Sequence, residues 1–126
     1  MKPLPCPCHS GANYHECCQR WHTGKREQQT PVELMRSRYA AYALLLEDYL
    51  LATWHPETRP ARLGLSNEVP TKWIGLRILR DAVQGDNAIV EFDARYKING
   101  KAEKLHEISR FIKLNGDWYY LDASGE

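Results

Sequence analysis

The sequence predicts an α+β fold, with helices in the first half of its main domain and a four-stranded antiparallel meander in the second. Two observations carry this. A marked helix start at Thr30-Pro31 leads into apolar residues at four-and-three spacing, and after residue 72 the period changes to two, in four segments parted by tight-turn residues. A third observation stands apart. All four cysteines of the 126-residue chain, Cys6, Cys8, Cys17 and Cys18, fall within "CPCHSGANYHECC", ahead of these elements.

Residues 1–24 hold the cysteines, three of the five histidines and, beyond alanine, only Met1 and Leu4 as aliphatic side chains. That is too little for a core, so the segment must be held together in another way. It is expected to form a unit separable from residues 30–126, with "KREQQTP" (25–31) as a polar connector. Thr30 suits an N-cap, Pro31 the first helical position and Glu33 the third, which completes a capping box. Met35, Tyr39, Tyr42, Leu46 and Tyr49 then form one apolar stripe, which Glu47-Asp48 can divide into two helices. The pattern stops at Trp54-His55-Pro56, because proline disfavours helix in the residue before it. A long loop is expected over 56–72, with one short helical turn. Strands are expected over 73–83, 88–98, 101–114 and 117–123. Gly85-Asp86-Asn87 parts the first two, and Asn99-Gly100 and Asn115-Gly116 are strong hairpin signals for the others.

Composition bounds the function. The chain is 43% apolar and 26% charged with a net charge of +1, an ordinary globular balance that gives no general pull toward nucleic acid or anionic membrane. "MKPLPCPCHS" lacks the apolar region of a secretory signal, and "YALLLEDYLLATW" is too short and too charged to span a bilayer. The expectation is a cytoplasmic protein without a membrane span, in a compartment that disfavours structural disulfides.

The cysteines fit metal chelation better than the alternatives. Adjacent or nearly adjacent cysteines make strained bridges, and the Cys-x-x-Cys spacing of redox pairs is absent. Four thiolates, two from each end of a short loop, can close a tetrahedral structural Zn²⁺ site. Pro7 stiffens the first pair, and Ser10-Gly11 supplies the turn that returns the second. Unliganded thiols in a disordered tail are the competing reading, and His9 and His15 are candidate substitute ligands. Four thiolates on Zn²⁺ leave a charge of −2, which Arg20, Lys2 or Lys25 can offset.

"CPCHSGANYHECC" resembles the SEC-C motif, the zinc-binding element named for the C-terminus of the SecA translocation ATPase. Cys6, Cys8, Ser10, Gly11, Tyr14, Cys17 and Cys18 carry the match. The resemblance implies one structural Zn²⁺ on the four cysteines. "LMRSRYAAYALLLEDYLLATWHPETRP", "WIGLRIL" and "HEISRFIKLNGDWYYLDA" resemble the YchJ family of bacterial proteins of unknown function. That family's main domain is assigned to the nuclear-transport-factor-2-like fold, a cone of curved antiparallel sheet wrapped on helices. The resemblance therefore implies a cone over residues 30–126, preceded by a zinc element over residues 1–24.

Cones of this type are often hollow, and some relatives are enzymes. Alternation puts Leu105, Glu107, Ser109 and Phe111 on one face of the third strand, and His106, Ile108, Arg110 and Ile112 on the other. In the second strand Val90, Phe92, Ala94 and Tyr96 oppose Glu91, Asp93 and Arg95. Candidate pocket residues are Trp54, His55, Asp93, Glu107 and Arg110. The plainer reading has Glu107, Asp93, Arg95 and Arg110 in cross-strand ion pairs on a solvated face, Trp54-His55-Pro56 capping a helix, and the tyrosines in the core. No nucleophile–base pair, phosphate loop or catalytic metal motif is legible, so the reading leans away from an enzyme.

A nucleic-acid surface from Arg20, Trp21, His22, Lys25 and Arg26 is disfavoured, because Glu16 and Glu27 dilute it. The SEC-C resemblance implies an adaptor instead, since in SecA the element docks a chaperone. Tyr14, Arg20 and Trp21 are the candidate docking residues for a protein partner. The sequence thus reads as a zinc-binding protein-interaction module, with a small-molecule binder or enzyme using the cone as the alternative.

Overall fold

The computed structural model describes residues 4–24, 29–65 and 71–125; Lys2, Lys25, Arg26 and Glu27, named above, lie outside the described residues. The expected α+β architecture is present. A short 3₁₀ turn (Tyr14–Glu16) and helix α1 (Gln19–Thr23) precede α2 (Pro31–Leu44) and α3 (Glu47–Ala52). Strands β1 (Thr71–Gln84), β2 (Asn87–Ile98), β3 (Lys101–Leu114) and β4 (Asp117–Gly125) form one antiparallel sheet in the order β1-β2-β3-β4.

Local chemistry explains the boundaries. The Thr30 hydroxyl accepts from the Glu33 N–H at 3.1 Å, while the Glu33 carboxylate accepts from the Thr30 N–H at 2.9 Å, so the capping box closes. Helix α2 ends where Leu45 turns left-handed (φ 59°), and the Leu46 N–H bonds back to the Ala41 carbonyl. The break thus falls two residues before Glu47-Asp48, which instead occupy the first turn of α3, where acidic groups suit the helix dipole. The Glu47 carboxylate accepts from the Leu63 and Leu65 N–H groups and ties the following loop down. Asn99-Gly100 and Asn115-Gly116 all have positive φ, as type I′ hairpins require, and Gly85 (φ 62°) opens a two-residue turn.

Helix α2 is buried nearly all round. Leu34, Met35, Ser37, Arg38, Tyr39, Ala40 and Ala41 are all buried, so one stripe describes only part of its contact. It packs on the concave face of the sheet, against Val90, Phe92, Ala94 and Phe111. Residues Trp54-His55 are bound to β4: the His55 N–H donates to the Tyr120 carbonyl (2.7 Å) and the Tyr120 N–H to the Thr53 carbonyl (2.8 Å). This supports the helix-end reading of the Trp-His-Pro cluster rather than a pocket mouth.

Among the described residues, no helix is long and apolar enough to cross a membrane.

Candidate metal centre and cone cavity

Pro5 pairs with Asn13 in an antiparallel bridge, with the Cys6 N–H bonded to the Ala12 carbonyl and the Tyr14 N–H to the Leu4 carbonyl. Left-handed His9 (φ 62°) and Gly11 (φ 93°) make the turn between them. The 3₁₀ turn then carries Cys17 and Cys18 back beneath Cys6 and Cys8. All four Sγ atoms lie within 4.8 Å of one another, with Cys8–Cys17 at 3.7 Å and Cys17–Cys18 at 3.9 Å.

These separations discriminate. A disulfide needs sulfurs about 2.05 Å apart, and all four cysteines are free. A tetrahedral ion with metal–sulfur bonds of about 2.3 Å spaces its thiolates about 3.8 Å apart. The cluster fits a tetrahedral ion.

The surroundings act on the four thiols unequally. Cys6, Cys8 and Cys18 are buried and Cys17 is half-buried. The hydrogen bond from Cys18 holds the Cys8 thiol down at about 4, while the same bond pushes Cys18 far up and burial lifts Cys6 to about 11. Burial and the bonds among the thiols thus disfavour loss of all their protons, a cost that a bound divalent cation would offset. The Ser10 hydroxyl lies 3.2 Å from the Cys17 sulfur. Arg20 Nε donates to the Cys17 carbonyl (2.9 Å) and Arg36 Nη1 to the Cys8 carbonyl (3.2 Å), placing two guanidinium groups beside the cluster. Arg20 was legible as a charge-offsetting residue, whereas Arg36 was not. His15 pairs with Glu16 at the surface and His9 rests edge-on against Tyr39, so neither belongs to the four-sulfur cluster.

The element is docked on the main domain. Cys6, Cys8 and Cys18 share one buried cluster with Leu34, Met35 and Tyr39. His22 bridges the two parts: Nε2 lies 2.8 Å from the Ser37 carbonyl, and Nδ1 lies 2.7 Å from the Tyr14 hydroxyl. A carbonyl can only accept, so Nε2 bears the proton and Nδ1 accepts from Tyr14. Burial pushes the His22 pKa down, in keeping with a neutral ring. Tyr14 is therefore not a free docking anchor; its hydroxyl points inward. Arg20 is exposed, and its guanidinium stacks over the half-buried Trp21 ring at 4.8 Å.

The cone contains a cavity of about 200 Å³ between α2 and the sheet. Of the five candidate pocket residues, Glu107 lines it. Asp93 and Arg110 do not, because alternation turns them to the convex face. There Asp93 binds His106 (2.7 Å) and Lys104 (3.4 Å), and Arg110 clasps Asp122. The cross-strand pairs expected on that face are present with other partners, including Glu91 with Arg80 and His106, and Glu107 is not among them. Trp54 and His55 also miss the cavity wall. Trp54 packs behind it on Tyr120, and the His55 ring accepts from the Glu57 N–H. The other wall residues were not among the pocket candidates; they include Arg38, Trp73 and Tyr120. A charge three residues after Met35 and one before Tyr39, inside the apolar helix pattern, was the available signal for Arg38.

A four-cysteine loop element followed by a helix-and-meander cone defines a compact NTF2-like protein carrying a SEC-C motif. Family models agree with that class: the SEC-C motif matches residues 4–20, and "YchJ, middle NTF2-like domain" matches residues 30–123. The chain belongs to the YchJ family. A UPF0225 protein of Deinococcus radiodurans is 53% identical over 121 residues, covering 95% of this chain and 88% of the relative. One from Bordetella pertussis is 49% identical, covering 96% and 92%. The solution structure of a SEC-C motif containing protein from Rhodopseudomonas palustris superposes with a TM-score of 0.85 at 35% identity, covering 98% of this chain and 99% of that one. The crystal structure of a sec-c motif containing protein from Psychrobacter arcticus gives 0.76 at 27% identity, covering 100% and 84%.

Proposed function

We propose that Cys6, Cys8, Cys17 and Cys18 hold one structural Zn²⁺, and that the chain serves as a protein-interaction module. The observation that carries the metal reading is the convergence of four sulfurs at tetrahedral spacing. Soft thiolates favour zinc over magnesium or calcium, and four protein ligands leave no open position for catalysis. Bound zinc supplies a cross-link; His22, Arg36 and the buried cysteines fasten that cross-linked loop to α2. A reduced thiolate cluster suits the cytoplasm. The interaction reading rests on the SEC-C resemblance and on the exposed Arg20 stacked on Trp21, a pairing that presents charge and aromatic surface together.

Metal analysis with thiol titration tests the first part. One zinc per chain and no reactive thiols before denaturation are expected; four freely reactive thiols in reduced protein would remove the metal from the account. For the second part, Trp21→Ala should abolish capture of a specific partner while retaining zinc. Equal capture by both forms places docking elsewhere.

A second reading has its own observation. The cone holds a walled cavity with a half-buried carboxylate, Glu107, facing into it, which supports a small-molecule binder.

A further inference from the structure

Five charged side chains of the convex face are compensated. Glu91, Asp93, His106, Arg110 and Asp122 each sit within ion-pair distance of an opposite charge. Glu107 differs. It points from β3 into the cavity, and among the described residues neither a hydrogen bond nor an ion pair reaches its carboxylate. Burial alone pushes its pKa up, with no compensating charge.

The rest of the wall is largely aromatic. Trp73 meets Tyr39 edge-on at 5.3 Å and lies tilted to Tyr42 at 6.3 Å, and Phe92 and Tyr120 add two further rings to the lining. Arg38 also borders the cavity, but its guanidinium is engaged. Nη1 donates to the Leu50 carbonyl (2.8 Å) and Thr53 Oγ1 (2.6 Å), and the group stacks on Trp54 and Tyr120. These neutral partners hold the guanidinium to the helix end and the Trp54–Tyr120 pair. Glu107 is the one carboxylate among the lining residues.

Aromatic faces attract cations through their quadrupoles, and most strongly where water is excluded. A carboxylate on the same wall adds a counter-charge. An anionic ligand would meet repulsion from an ionised Glu107, whereas a cation would stabilise the ionised carboxylate against the burial that disfavours it. The volume, about 200 Å³, falls below the roughly 300 Å³ where drug-sized pockets begin, so the ligand is small. We propose that the cone binds a small organic ammonium ion, with Glu107 as its counter-ion and Trp73, Tyr39 and Tyr42 as its aromatic wall. This rests on the small-molecule reading of the cone given above.

The test is isothermal titration of the intact, metal-loaded chain with choline, butylammonium, 3,3-dimethylbutan-1-ol (the neutral carbon isostere of choline) and 3,3-dimethylbutanoate. The cations should bind at least about tenfold more tightly than the isostere, because only they gain the attraction of the aromatic faces and of the carboxylate. The anion should not bind. Glu107→Gln should shrink the preference for cations to what the aromatic wall alone supplies, and its melting temperature should hold or rise, because no partner is lost. Tyr42→Leu, which keeps an apolar wall but removes a π face, should weaken choline several-fold and serves as a second variant. Isostere or anion binding as tight as choline overturns the ammonium assignment but leaves a binding cavity. Absence of binding by every probe overturns both.

Discussion

Replacing His22 by phenylalanine asks how firmly the cysteine element is fastened to the cone. The substitution keeps a ring against Tyr49, whose centroid lies 4.7 Å away, but deletes the bonds to the Tyr14 hydroxyl and the Ser37 carbonyl. Each such bond contributes about 0.5–1.5 kcal/mol net, so the loss should be about 1–3 kcal/mol. For a chain of this size that lowers the melting temperature by roughly 5–10 °C. The same loss should fall on local opening of the element, raising the rate at which a chelator strips the metal by roughly 5- to 150-fold. Tyr14→Phe, which removes one of the two bonds, should give about half the effect in both assays. Thermal melting and chelator-competition kinetics make the measurement. If His22→Phe matches the parent in both, the His22 bridge does not fasten the element.

Three further outcomes are expected. Thr30→Ala should lower stability by about 1 kcal/mol in urea unfolding, because it opens the capping box of α2. Chelation should speed amide exchange along the buried face of α2 as well as in residues 4–24, because Cys6, Cys8 and Cys18 pack with Leu34, Met35 and Tyr39; a separable element would leave α2 unchanged. His106 should titrate above its ordinary value by NMR, since Asp93 and then Glu91 stabilise its charged form more than desolvation disfavours it, while Lys104 and Arg80 share the same two carboxylates. Its folded pKa is raised, so its stabilising contribution is complete below the unfolded pKa near 6.5 and is lost as pH rises through the folded value. Asp93→Asn should bring that titration back toward 6.5.

Much of this arrangement was legible in the sequence because local chemistry fixes it. Thr30, Pro31 and Glu33 declare the helix start, and the two Asn-Gly pairs declare hairpins whose residues need positive φ. Period-two alternation placed Glu107 and Arg110 on opposite faces, and the strand bearing them, Lys101–Leu114, has the expected bounds. What alternation left open was which face is concave, so Asp93 and Arg110 stood as pocket candidates beside Glu107. Strand β1 was harder still. Its register shifts between Trp73 and Gly75 and between Ile78 and Arg80 interrupt the alternation, so Trp73 could not be assigned to the cavity from spacing. The docking of the cysteine element was also hidden. It depends on His22 reaching Ser37 and on Arg36 reaching Cys8, 15 and 28 residues away, with no local pattern to signal either contact. Too few aliphatic residues for a core was a sound observation about residues 1–24. The buried cysteines themselves supply the packing surface.

The central claim is a closed four-sulfur zinc site, and X-ray absorption at the zinc edge of the purified, reduced chain tests it most directly. Four sulfur scatterers at about 2.3 Å are expected, with no nitrogen or oxygen bonded to the metal. Cys17→Ser, at the least buried of the four positions, should leave three sulfurs and one lighter atom. A parent spectrum with two or three sulfurs and a histidine ring pattern, or an absence of bound zinc, would contradict it.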